Sequence, residues 1–551
     1  MGRFCLWHGD DDEWTPPPEP AELVAARRAF LAELEEAAAR LPGDEWILDQ
    51  RIRYLVEAGR QAEAVRAATD CVLAERSWCR ALEGYAWHAS GDFVRADSVF
   101  SLALAGMPEA ERCRWTDLSP VLEGKGSRRY RRLACRRRAA FEERFWRLAD
   151  PLYIVPGNDR RTEHFARHVL DRAQEDARSG YGVRWGRDLR ELLLRYGWPA
   201  GWRAVRLGGA GPGSALVIES HDTPGSRRFL PPAEWVGHPE RIRPGRWRLK
   251  PRRPRSHYAP PYAREIGGIE RQIARFRRGD SLVVIAAFDR TRDTFPACDS
   301  LVAGLALWPA AAPYPVLDRR VVRGERGVLR VAVAPERSPP AEQAGAGGSR
   351  AGGRAASRGA GDADKSAREP MDASGERAVL LSLETLCLAQ RMAERERYGL
   401  PVPLRRQGER ALSDLLVLRR PDPLPASLPE AAEAAAGSLR VHPGQRIGLY
   451  WEMYAEAVDA GWASEDVAVT VTLARKGKGL FRRLAEWTRL APRHAEAVGL
   501  RWRERAPAPL APRSVALDLP DLPAGDYRLE VAVLPPDGQR LVTVRDLEVE
   551  N

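Results

Sequence analysis

The segment GDFVRADSVFSLALAGMP, residues 91–108, decides how the first third of the chain is read. Gly91, Ala96, Phe100, Ala103 and Pro108 are spaced as in a helical hairpin. Small residues at Ala96 and Ala103 let two helices approach, Phe100 fills the gap between hairpins, and Pro108 stops the second helix. The pattern recurs upstream, where Trp46 matches Trp78, Gly59 matches Gly91 and Ala64 matches Ala96, each 32 residues apart. A period of that size predicts a helical-hairpin array. Residues 20–41 carry apolar side chains at helical spacing and predict a further helix. Two hairpins seldom stand alone, so the array is expected to dock on the next part of the chain.

The unit at residues 91–108 resembles a tetratricopeptide hairpin; in the earlier unit Leu55 and Ala68 replace its large aromatic residues. Downstream, FEERFWRLAD reads as a helix ending before Pro151, and Asn158 or Asp159 can cap a second helix running to about Ala177. RWGRDLRELLLRYGWP, residues 184–199, then places Leu189, Leu192, Leu193 and Tyr196 on one helical face, with Gly197 and Pro199 ending the helix.

These residues resemble the GWxTD-domain proteins of bacteria. Trp146, Asp150, Pro151, Asn158, Asp159, Glu163 and His164 match the first part of that domain's pattern, and Trp185, Asp188, Tyr196, Gly197 and Pro199 match the second. Arg184 and Arg187 stand where the motif has glycine and threonine, which marks a divergent member. The resemblance implies an exported or envelope-associated protein in which such a domain is joined to tetratricopeptide repeats. It supplies no catalytic residues.

Further along, WRAVRL and SALVIES predict strands around the glycine-rich GGAGPG, and SLVVIAAFD (residues 281–289) a fully buried strand. Residues 337–377, rich in Gly, Ala, Ser and Arg without apolar periodicity, predict a disordered insert. From about Pro421 strands alternate with turns at the spacing of an antiparallel sandwich, and Tyr527, just after Gly525, is either a tyrosine corner or an ordinary turn tyrosine. The expected fold class is multidomain α+β. A tetratricopeptide-like helical region (1–140) leads to a mixed α/β GWxTD-like domain (141–289). Two antiparallel β-sandwich domains come next, one at 290–420 interrupted by the insert and an Ig-like one at 421–551.

The chain has 551 residues and a net charge of +11, with 87 basic residues against 76 acidic, so composition alone does not argue for a polyanion partner. No apolar run is long enough to span a membrane. The start, MGRFCLWHGDDDEWTPPPEP, has no apolar signal-peptide core, yet Phe4, Cys5 and Trp7 begin abruptly, and a longer precursor with an export signal is expected. The seven cysteines show no metal spacing and are read mainly as buried thiols. In an exported protein Cys71, Cys79 and Cys113 are close enough for one disulfide, with the pair left open.

Four constellations invite a chemical reading. His164 and His168 lie four apart, but Phe165 stands where a zincin has its glutamate, so no metal is expected; His164 is assigned a capping or core-polar role and His168 an exposed position. GGAGPG is not GxGxxG and reads as a hairpin. Trp185 and Asp188 could bind a ligand, but Arg184, Arg187 and Arg190 offer that carboxylate partners, and a structural joint is the favoured reading. In the basic stretch 241–255, Arg246, Trp247, Arg248, Arg252 and Arg253 could track a polyanion, though a solvated loop is the favoured reading. No catalytic, cofactor or metal residues are assigned. The expected function is that of a non-enzymatic envelope-associated interaction protein, with partners bound through the helical array and the sandwiches. The alternatives are a polyanion- or glycan-binding protein, an uncharacterised hydrolase, and, for location, the cytoplasm.

Overall fold

The computed structural model describes residues 4–7, 17–71, 73–175, 177, 184–207, 215–251, 254–279, 281–291, 295–309, 312, 314–333, 377–402, 410–454, 466–476, 496–505, 510–535 and 538–550. The fold is mixed α+β, with the long helices in the N-terminal half and most of the sheet in the C-terminal half. Two compact units divide the chain: Met1–Gly267 with Glu384–Tyr398, and Gly268–Leu383 with Gly399–Asn551.

The first unit begins with helices α1 (Ala21–Arg40), α2 (Glu45–Glu57), α3 (Gln61–Thr69), α4 (Arg76–Ser90) and α5 (Phe93–Gly106). Asp44, Glu75 and Asp92 cap α2, α4 and α5 by accepting backbone N–H groups that the helix leaves free. Gly59 and Gly91 come after α2 and α4 with φ of +72° and +86°, a conformation glycine adopts without steric cost. Ala64, Ala96, Phe100 and Ala103 are all fully buried in one core, as the hairpin spacing predicts. The correspondence of tryptophans fails. Trp78 is wholly buried, whereas Trp46, one residue into α2, is 56% exposed. The 32-residue offset therefore preserves the turn and the small contact residue but not the aromatic filler.

Helices α6 (Glu109–Trp115), α7 (Ser127–Arg132), α8 (Ala139–Ala149), α9 (Asp159–Ala173) and α10 (Arg187–Tyr196) complete this half of the unit. Phe165, Ala166 and Val169 of α9 belong to the same core as the hairpins, so the array does dock on the next part of the chain. Helix α9 stops at Ala173, short of the expected Ala177. Strands Gly201–Leu207 and Ala215–His221 pair antiparallel, and Phe4–Trp7 adds parallel to the latter. The glycine-rich segment between the two antiparallel strands lies outside the described residues.

The thiol reading is corrected. Cys71 bonds Cys79, and Cys113 bonds Cys135, a pairing that spacing alone could not select because the second partner lies beyond the three cysteines weighed. Cys298 and Cys387 are disulfide-bonded too.

In the second unit, Ser281–Asp289 is the central strand of an antiparallel sheet between Arg271–Arg278 and Arg326–Val333, and its last seven residues are buried. Further along, Asp466–Arg475 pairs with Glu496–Arg505 and Gly525–Leu534, and the last of these with Leu541–Val549, all antiparallel. A second sheet centres on Arg446–Tyr454, paired with Leu416–Leu418 and Leu510–Asp518. Val467, Val469, Val471 and Leu473 alternate inward and share one core with Ile447, Leu449, Trp451 and Met453 of the other sheet. Tyr527 is buried and its hydroxyl donates to the Pro523 carbonyl at 2.9 Å, the bond a tyrosine corner makes. Of the insert expected at 337–377 only Arg377 is described, where it opens the strand Arg377–Cys387.

Candidate functional site

Helix α9 brings most of the chemically notable side chains together. Asn158 caps it, accepting from Arg161 N at 2.9 Å while its amide donates to the Trp146 carbonyl at 2.7 Å, so the end of α8 and the start of α9 are tied by one residue. One side of α9 is apolar and faces the hairpins. The rest carries Arg160, Glu163, His164, Arg167 and His168, of which all but Glu163 are also buried.

Each of these groups is held differently. Glu163 pairs with Arg167 at 2.6 Å and with His88 Nε2 at 2.9 Å. Burial opposes its ionisation, but Arg167 and His88 prevail and draw its pKa down to about 2. Arg167 also donates to the Leu194 carbonyl at 3.1 Å and the His257 carbonyl at 2.9 Å. The His164 ring is tilted against Trp146, 4.9 Å between centroids, and its Nε2 lies 3.1 Å from the Trp115 carbonyl. Burial lowers the His164 pKa well below its ordinary value, so the ring is neutral and donates from Nε2. His168 is not exposed as expected: it stacks on Trp115 at 5.3 Å, and burial brings its pKa down to about 3. The two imidazoles stand edge to face, 4.8 Å apart. Among the described residues no three His, Cys, Asp or Glu side chains come together as a metal site.

At the start of α9, Asp159 and Arg160 are both wholly buried. Burial lifts Asp159 to about 6, although the Tyr258 and Tyr262 hydroxyls favour its charge. Neither phenol is in full hydrogen-bonding geometry with it, and both carboxylate oxygens keep unfilled capacity. Asp150 is driven well above the ordinary carboxyl range by burial and by Asp159. Its carbonyl accepts from Arg397 at 2.8 Å, and the Pro151 carbonyl accepts from Arg395 at 2.9 Å. Arg397 in turn pairs with Glu384 at 2.8 Å.

The Trp185 and Asp188 pair is corrected. Trp185 Nε1 donates to Asp171 at 2.8 Å and Arg190 pairs with that same carboxylate at 2.6 Å, whereas Asp188 is exposed on the first turn of α10. The carboxylate that matters lies on α9, fourteen residues upstream of the tryptophan. Tyr196 meets His257 edge to face at 4.9 Å, and Gly197 closes α10 with φ +80°, ahead of half-buried Pro199.

The basic stretch does not present its tryptophan. Trp247 is buried, with Arg395 4.9 Å and Arg397 5.8 Å from its ring centroid and Trp235 at 5.5 Å. Arg246 and Arg248 are exposed; Arg252 and Arg253 lie outside the described residues.

The pattern along the chain thus located Trp146, Asn158, Glu163 and His164, but missed His88, Arg160, Arg167, Asp171, Tyr258, Arg395 and Arg397. The available signal was Arg160, Glu163 and Arg167 at i, i+3 and i+7, on a helix too polar for one solvent face. The alternating charges of Glu394–Arg397 offer no such signal, although Glu394, Arg395 and Arg397 are buried.

No family model and no curated protein matches this chain. Among solved structures, the alkylpurine DNA glycosylase AlkC of Pseudomonas fluorescens shares 16% identity over 26% of this chain and 31% of its own length, with a TM-score of 0.16. The soluble domain of PmoD from a Methylocystis species shares 13% over 27% of this chain and 95% of its own, with a TM-score of 0.15. Dimeric latent PorU of Porphyromonas gingivalis shares 9% over 51% of this chain and 20% of its own, with a TM-score of 0.19.

Proposed function

We propose that the chain is a non-enzymatic interaction protein of the bacterial envelope. On this reading a tetratricopeptide-like array leads into a divergent GWxTD-like domain, with β-sandwich modules, the last Ig-like, at the C-terminal end. The observation that carries it is the structural use of the motif residues in its first half, of which Trp146, Asp150 and His164 are buried and Asn158 and Glu163 half-buried. Trp146, Asp150, Asn158, Glu163 and His164 tie helices to one another and to nearby carbonyls, and His164 is a neutral ring excluded from solvent, unsuited to general-base work on a polymer substrate. Disulfides favour an oxidising compartment, which supports the envelope over the cytoplasm. No helix among the described residues is long and apolar enough to cross a membrane. The exposed apolar residues Val94 and Leu102 on α5 offer contact positions on the array.

The test is capture of the full chain with its partners from the native envelope fraction, beside a Val94→Lys, Leu102→Lys variant of unchanged circular dichroism. A partner retained near stoichiometrically by the wild type and lost from the variant is expected. Turnover of ester, peptide or glycoside substrates that disappears in His164→Gln would replace this reading with the hydrolase.

A further inference from the structure

The surface around helix α7 carries charge that nothing nearby answers. Residues 124–141 contain no acidic side chain. Helix α7 exposes Arg128, Arg129, Arg131 and Arg132 around one buried residue, Tyr130, and the single turn Cys135–Arg137 adds exposed Arg136 and Arg137. Among the described residues none of these six guanidinium groups meets a carboxylate; Arg131 reaches only the Ser119 carbonyl, at 3.5 Å. Neighbouring arginines behave otherwise, since Arg138 pairs with Asp117 at 2.8 Å and Arg147 pairs with Glu143.

These arginines project from a fixed base. The Tyr130 hydroxyl donates to Glu142 of α8 at 2.7 Å and accepts from Leu118 N at 3.0 Å. Its ring packs on Phe141 with centroids 5.1 Å apart, and Arg138 Cζ lies 4.7 Å from the ring centroid. The Cys113–Cys135 crosslink fastens the turn to α6. Helix α7, the turn and the start of α8 therefore form one packed knot, closed around a tyrosine with its arginines outside. Like charges held this close repel one another, and salt only screens the repulsion. An anionic partner that covers them removes that penalty.

Three observations choose the partner. Tyr130, Phe145 and Trp146 are buried, and among the described residues from 123 to 144 no large apolar side chain is exposed, so a base or a sugar finds no face to stack on. What the surface offers is guanidinium forks, which match phosphate oxygens. The disulfides belong to an oxidising compartment, where the extended array of phosphates is a lipid bilayer rather than nucleic acid.

We propose that the surface of residues 128–137 docks the protein on the face of a membrane rich in anionic phospholipid, by charge alone and without insertion. The choice of a bilayer rests on the envelope location proposed for the chain; the basic surface itself does not.

The test is flotation of the full chain with vesicles of phosphatidylglycerol and phosphatidylcholine in equal parts, beside vesicles of phosphatidylcholine alone and a DNA duplex, all at one salt concentration. Binding to the anionic vesicles only is expected, weakening as salt is raised. Replacing Arg128, Arg132, Arg136 and Arg137 by glutamine should reduce the partition coefficient about 100-fold, since each basic side chain at an anionic surface contributes about a factor of five. Replacing Arg246, Arg248, Arg252 and Arg253 by glutamine removes the same charge elsewhere and should change binding less than about 5-fold. The first variant loses only exposed side chains and is expected to keep the wild-type circular dichroism. Should it not fold, the Arg128→Gln, Arg136→Gln pair takes its place, with a loss of at least about 10-fold. Binding to neither vesicle, equal binding to both, or equal losses in the two four-residue variants would overturn the inference. Tighter binding to the duplex than to the anionic vesicles would overturn it too and make this a nucleic-acid surface. The vesicles contain no protein, so failure here leaves the partner-binding reading standing, and failure to capture a protein partner leaves vesicle binding as it was.

Discussion

Arg167 shows how one side chain can account for several motif positions at once. Its guanidinium reaches from α9 to the last turn of α10 and passes so close to residue 197 that a Cβ there would stand 2.9 Å from Nη2. Gly197 is therefore required twice, for its positive φ and for this approach. The Tyr-Gly-x-Pro ending is a joint in the physical sense, since it lets a buried cation tie two helices. His168 carries a sharper consequence. Unfolded, it titrates near 6.5; folded, it stays neutral down to about 3. As pH falls through 6.5 the unfolded chain alone takes up this proton, so stability is lost on acidification. Asp159 acts in the opposite sense, because its folded pKa of about 6 makes the folded state the better proton binder between about 4 and 6. His168→Phe keeps a ring to stack on Trp115 and removes the proton site. Between pH 7 and pH 5 it should lose about 2 kcal/mol less unfolding free energy than wild type. Urea unfolding at the two pH values measures this, and equal losses would show that the imidazole is protonated in the folded protein.

At the scale of elements, legibility followed periodicity. The helices of the first unit and the alternating strands near the C-terminus are written as repeats of 3.6 or 2 residues, the buried strand Ser281–Asp289 as a short unbroken apolar run. Helix α9 defeats the same rule because its polar side is also buried, against α8, α10 and the chain around Tyr258. A polar face predicts solvent only when no other element supplies partners, and those partners come from His88, Trp115, Leu194 and His257, far away in sequence. The disulfides were illegible for a related reason: Cys113 precedes two turns and a short helix before it meets Cys135, and no local period encodes that return. This crosslink closes a loop of 22 residues, and removing it by Cys113→Ser with Cys135→Ser should cost about 3 kcal/mol. Differential scanning calorimetry of the full chain should show the loss in the transition of the first unit. A shift confined to the other unit's transition would contradict the assignment of the crosslink.

At the scale of the whole molecule, the net charge of +11 is the small excess of a densely charged chain, 87 basic residues against 76 acidic. Arginines pair with carboxylates throughout: Arg53 with Glu57, Arg138 with Asp117, Arg172 with Glu45, Arg275 with Asp414 and Arg513 with Glu504. A polyanion site needs a contiguous field and, for single strands or sugars, exposed aromatic faces. The stretch around Arg246 and Arg248 has exposed cations, but its Trp247 lies beneath Arg395. Replacing Arg246, Arg248, Arg252 and Arg253 by glutamine tests what remains of the polyanion reading. Each phosphate contact removed should flatten the logarithmic salt dependence of binding by about 0.7 to 0.9. For heparin and for nucleic acid the expectation is weak binding by the wild type, and in the variant a decrease no larger than its four lost charges would produce at any exposed site. A submicromolar wild-type affinity at physiological salt, abolished in a variant of unchanged thermal stability, would mean that the field is focused after all, and that the loop is a binding surface supported from below by its buried indole.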